Sequence, residues 1–88
     1  MARFNRKNIE NADNDRPVVY TLKRGGEPIY VGIAKRGRVQ ERLTEHLGEI
    51  PATEFSTRSY DTIDEARKAE EAKIKREKPE YNDQHNNG

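Results

Sequence analysis

The chain has no cysteine, so disulfides and thiolate metal sites are excluded. No apolar run approaches the ~20 residues of a membrane span, and nothing has the pattern of a signal peptide. The expectation is a cytoplasmic protein with no membrane partner. Apolar side chains are scarce too. Only 31% of the 88 residues are hydrophobic against 38% charged, and Leu, Ile, Val and Phe together number 15. A composition this lean approaches that of disordered chains, but those also carry high net charge. Here the formal charge is only +1, and the apolar residues are grouped into periodic segments. The reading is one small folded domain with little stability to spare and with polar ends.

The near-zero charge hides an asymmetry. Lys23, Arg24, Lys35, Arg36, Arg38 and Arg42 face only Glu27 and Glu41 over the same stretch. Such a stretch can face phosphates, or it can be a solvated surface of mixed charge.

Residues 1–16 are polar, with Phe4 and Ile9 to bury, and read as a flexible or loosely docked arm. Residues 17–82 read as the domain and 83–88 as a polar tail. Pro17 to Leu22 has the β-branched and aromatic content of a strand. Gly25-Gly26 marks a turn, and Ile29 to Ile33 a second strand, so the pair forms a hairpin. Val39, Leu43 and Leu47 form the stripe of a helix from about Arg38 to Leu47, with Gly48 as its stop. Glu54 to Tyr60 reads as a third strand. Thr62 and Glu65 fit a capping box opening a helix that ends before Pro79. The predicted class is α+β: a three-stranded antiparallel sheet flanked by helices, in the order β-β-α-β-α.

Three features can carry chemistry. Glu70 sits on the apolar stripe of the last helix, between Ala66 and Ile74. A carboxylate there is unfavourable unless it is paired, reaches solvent at the helix edge, or holds a metal. Arg42 and His46 are four residues apart on one helix face. Arg can clamp a phosphate and His can relay a proton, but a surface Arg and a capping His account for the spacing equally well. Tyr20 and Tyr30 lie on the two hairpin strands. Gly32 follows Tyr30 on the same face, where its missing side chain leaves room for a ligand to approach.

Taken together, Val18-Val19-Tyr20, Tyr30-Val31-Gly32, Arg42, His46, and the run Glu70, Ile74, Pro79, Asn82 resemble the GIY-YIG nuclease domain. The resemblance spans roughly Pro17 to Asn82. It departs at Val18 and Val19, which stand for Gly and Ile, and at Lys73, which is polar where the family often has an apolar residue. It implies a divalent-metal-dependent endonuclease acting on DNA, double-stranded or branched, and leaving 5′-phosphate and 3′-hydroxyl ends. Glu70 would be the single protein ligand of Mg²⁺ or Mn²⁺. Tyr20 would act as or assist the general base, and Tyr30 would position water or phosphate. Arg42 would bind the scissile phosphate and His46 would support the nucleophile. Lys35, Arg36, Arg38, Gly32 and Asn82 would line or brace the substrate site. Such a domain can act as a homodimer or with an additional DNA-recognition partner. A catalytically silent nucleic-acid-binding module of the same fold, within a larger complex, and a protein-interaction domain are the competing readings.

Overall fold

The computed structural model describes residues 2–85. Its elements are β1 (Ala2–Arg3), α1 (Arg6–Glu10), β2 (Val18–Arg24), β3 (Glu27–Ala34), α2 (Val39–His46), β4 (Glu54–Ser59), α3 (Ile63–Glu77) and α4 (Glu80–His85). The strands form one antiparallel sheet in the order β1-β4-β2-β3.

The α+β class stands, but the sheet has four strands rather than the expected three. The extra strand comes from the segment read as an arm. Ala2 and Arg3 pair with Phe55 and Glu54, and the Phe4 ring meets Phe55 edge-on at 5.8 Å. Ile9 is 1% exposed. Two apolar residues suffice because the arm's asparagines serve its backbone. Asn5 caps α1 by accepting from the Asn8 N–H, and the Asn8 amide donates to the Arg3 carbonyl. Asn14 accepts from the N–H groups of Val39 and Gln40 at 2.8 and 3.3 Å, which caps α2 from outside the helix. The backbone of the expected tail closes α4 at His85; the rest of that tail, 86–88, and residue 1 lie outside the described residues.

Gly25 and Gly26 both have positive φ, 59° and 84°, as a tight hairpin turn matching strand twist requires. β2 lies between β3 and β4 and is buried from Val18 to Leu22. Alternation sends Val18, Tyr20 and Leu22 into the larger core, beside Val39 and Leu43 of α2 and Ile9 of α1. Val19 and Val31 face the other way, into a small cluster with Ala66 of α3. The two faces of the sheet are therefore unequally filled.

α3 opens as expected: the Glu65 N–H donates to the Thr62 hydroxyl at 3.1 Å. The reciprocal contact differs, since the Thr62 hydroxyl meets the Glu65 carboxylate at 3.3 Å. Lys78 then turns left-handed at φ 45°, its N–H bonded to the Ile74 carbonyl. This reversal, with Pro79 buried behind it, carries α4 along β3, the sheet's edge strand.

The basic stretch does not form one surface. Lys23 and Arg24 pair with Pro28 and Glu27 at the turn end of the hairpin, whereas Val18 pairs with Ala34 at the other end, next to Lys35. At ~3.3 Å per residue, the two halves of the stretch are roughly 20 Å apart.

Candidate active site

The register of β2 against β3 builds the centre of the site. Tyr20 pairs with Gly32 and Leu22 with Tyr30, so both tyrosines stand on the α2 face. Their rings lie 6.2 Å apart. His46, in the last turn of α2, packs against both, 5.6 Å from the Tyr20 ring and 4.9 Å from the Tyr30 ring. Its Nε2 lies 2.8 Å from Tyr20 Oη in a buried hydrogen bond. His46 is only 7% exposed, so it is part of this cluster rather than a surface cap. Burial is the main cause that drives the Tyr20 pKa well above the ordinary phenol range, with Tyr30 adding to the rise and Arg42 opposing it. Tyr30 is raised too, again chiefly by burial, with Arg42 opposing and Glu70 reinforcing. These mutual influences put Tyr20, Tyr30, Arg42 and Glu70 within electrostatic reach of one another.

Gly32 has a different part from the one its sequence position suggested. The space left by its missing side chain is filled from within: a Cβ there would run into Cζ, Oη and Cε1 of Tyr20. It is the seat of the Tyr20 ring and leaves no gap for a ligand. Asn82 is buried against β3. It is 2% exposed. Its Oδ1 accepts from the Val31 N–H and its Nδ2 donates to the Val31 carbonyl, both at 2.8 Å. This side chain therefore acts as the strand partner that the free edge of β3 lacks, and it fixes the backbone between Tyr30 and Gly32.

Arg42 is half-exposed and reaches Glu45 at 3.6 Å. It borders a groove of ≈ 360 Å³ that Lys35, Arg38, Ile33, Ile63 and Arg67 also line. Arg38 is paired with Glu41 at 2.8 Å, while Lys35 and Arg67 form no ion pair among the described residues. Arg36 is exposed but does not line the groove. Arg67 escaped the sequence reading, although its place one turn before Glu70 on α3 was a usable signal.

Glu70 forms no ion pair among the described residues; the carboxylate that meets Arg42 is that of Glu45. Its pKa is raised, first by burial and then by Glu71, with Arg67 and Arg42 opposing. A half-buried carboxylate, with no ion pair among the described residues and within electrostatic reach of two phenols, fits a hard cation. Among the described residues no group of three or more His, Asp or Glu side chains gathers to hold a metal. A cation here would have Glu70 as its protein ligand and would take its remaining oxygens from water and substrate.

Taken together, a hairpin carrying two buried tyrosines, a helix carrying Arg and His, and a second helix carrying a lone carboxylate define a phosphodiesterase-like centre on a small α+β scaffold. No protein-family model matches the chain, and no curated protein does. Solved structures do. The GIY-YIG N-terminal endonuclease domain of UvrC from Thermotoga maritima, bound to its catalytic divalent cation magnesium, is 32% identical with a TM-score of 0.71, over 86% of this chain and 97% of that one. Two tyrosine-to-phenylalanine point mutants of that domain, each bound to the catalytic divalent cation, are 36% and 34% identical with TM-scores of 0.74, over 88% of this chain and 92% of theirs. The chain belongs to the GIY-YIG endonuclease domain family.

Proposed function

We propose that this chain is a metal-dependent endonuclease that hydrolyses DNA phosphodiester bonds, leaving 5′-phosphate and 3′-hydroxyl ends. The observation that carries the reading is the convergence of Tyr20, Tyr30, His46, Arg42 and Glu70 around the middle of β2 and β3. The magnesium and divalent cation bound by the similar UvrC domain support it.

Glu70 would hold Mg²⁺ or Mn²⁺. Such a cation, when bound, supplies charge relief on the phosphoryl oxygens and on the leaving oxygen. Arg42, with half of its side chain exposed, donates to a non-bridging oxygen of the scissile phosphate as negative charge develops there. Tyr20 cannot serve as a standing phenolate, because burial favours its neutral form. It works instead as a relay: its hydroxyl gives its proton to His46 Nε2, 2.8 Å away, while its oxygen accepts one from the attacking water. The water oxygen bonds to phosphorus, the P–O3′ bond breaks, and the departing oxygen is protonated from solvent. Tyr30 flanks this path and orients water or phosphate.

The test is nicking of supercoiled DNA with Mg²⁺, with EDTA and a Glu70→Gln variant as controls. Nicking that needs the metal and vanishes in the variant is expected. DNA binding without nicking would leave a silent binding module, and nicking that survives Glu70→Gln would remove the metal site. Arg42→Ala is expected to lower the rate about 10²–10³-fold with a nearly unchanged melting temperature, because its exposed pair with Glu45 is worth at most ~1 kcal/mol. A wild-type rate in that variant would take Arg42 out of the site.

A further inference from the structure

α3 has two working sides. At ~100° per residue, Arg67 and Glu70 lie on the side toward the active site, while Ala69, Ala72, Lys73 and Arg76 lie toward β2 and β4. On that second side a groove of ≈ 410 Å³ separates the helix from the sheet. A helix crossing a sheet ordinarily buries large apolar side chains. Here the helix offers alanines, and the strands offer the hydroxyls of Thr21 and Ser56. Arg58 of β4 and Lys73 and Arg76 of α3 stand around these hydroxyls, and no carboxylate lines the groove. Lys73 is linked to Glu77 at 3.8 Å; Arg58 and Arg76 form no ion pair among the described residues.

Thr21 adds a hydroxyl donor to the charges. It lines the groove and is 2% exposed, yet its hydroxyl makes no hydrogen bond among the described residues. An acceptor seated in the groove would bond to this hydroxyl. Lys73 is also the residue at which α3 departs from the apolar pattern expected of it.

We infer that this groove is a second binding site for nucleic acid, holding the sugar–phosphate backbone of the substrate on the side of α3 away from Glu70. Guanidinium, ammonium and hydroxyl donors suit phosphate oxygens. The groove offers no carboxamide to read base edges, and its one aromatic ring, Tyr60, has the Arg58 guanidinium 5.8 Å from its centre. Contact is therefore with backbone and independent of sequence. The inference rests on the nuclease reading for its ligand, but its test reads binding rather than cleavage.

The experiment uses the full chain carrying Glu70→Gln, with and without Arg58→Ala and Arg76→Ala together, and a labelled DNA duplex titrated over a range of salt. The expected result is about a tenfold loss of affinity and a salt slope smaller by ~1.8, the amount two phosphate contacts carry. Arg58→Lys with Arg76→Lys should restore most of both, and melting curves should match throughout. In the chain with Glu70 intact, the double alanine variant should cleave saturating DNA at the unaltered rate. Unchanged affinity and salt slope would overturn the inference. So would inorganic phosphate raising the melting temperature through these arginines while DNA affinity ignored them, since that marks a small-anion site. Wild-type protein that binds through the groove but never cuts would sink the nuclease reading and leave the groove standing.

Discussion

The two halves of the candidate site are built in opposite ways. The tyrosine half is closed: Tyr20 lies over Gly32 and is bonded to His46, and the adjoining strand is held at Val31 by both ends of the Asn82 amide. The carboxylate half is open: Glu70 has no ion pair among the described residues, and the one ion pair of Arg42 among them is with an exposed Glu45. The first half owes its geometry to packing and buried hydrogen bonds. The second keeps charge unneutralised where a substrate can use it. Damage to the closed half should therefore appear as lost stability, with activity following, and damage to the open half as lost activity at nearly constant stability.

Asn82→Ala is the largest expected breach. It removes the partners of a buried N–H and a buried carbonyl at once. Each orphaned group costs about 1–3 kcal/mol, and a domain of this size loses roughly 4–8 °C of melting temperature per kcal/mol. A drop beyond ~8 °C is expected, together with faster amide exchange at Val31. An unshifted melting curve would mean that water replaces the amide and that β3 needs no brace. Gly32→Ala comes next. Its methyl would overlap the Tyr20 ring, and overpacking of this kind costs about 1–3 kcal/mol. The ring must move off its His46 bond, so cleavage should fall with stability. If Tyr20→Phe in the same chain recovered the stability, the clash would be at the hydroxyl end of the ring; if it did not, the whole ring is held. A fully active, fully stable Gly32→Ala protein would refute the contact.

Much of this was legible in the sequence, because the long elements carry periodic signals and clear breaks. The hairpin follows from its β-branched runs around Gly25-Gly26. α3 follows from Thr62, Glu65 and Pro79, and the position of Glu70 on it from helical spacing alone. What stayed hidden depends on partners distant in the chain. β1 is too short to show alternation and α1 too short to show a stripe, so Phe4 and Ile9 looked insufficient to dock an arm. Asn14 caps α2 from 25 positions before Val39, beyond any local capping pattern. Gly32 was misread because alternation tells which residues of one strand share a face. Only the register between strands shows that Tyr20 occupies the space. The basic stretch was left open between two readings for the same reason, since residues near in sequence sit at opposite ends of a hairpin.

The smallest expected effect lies in the open half and has the opposite sign. Burial raises the Glu70 pKa above the ordinary carboxylate value, so the folded state holds this proton more tightly than the unfolded chain does. By linkage, nothing is lost below the ordinary carboxylate range, where Glu70 is protonated in both states. Stability then declines as pH rises through that range to the raised folded value, and the full penalty is present at neutral pH. Glu70→Gln abolishes this dependence. The variant should melt at the same temperature as wild type or slightly higher near pH 7, and the difference should vanish at acid pH. Mg²⁺ should raise the wild-type melting temperature, because it binds only the folded chain, and leave the variant unmoved. A variant clearly less stable than wild type at neutral pH would show that Glu70 makes a structural contact. The division between a half that holds the fold and a half that is kept free for substrate would then fail at its central residue.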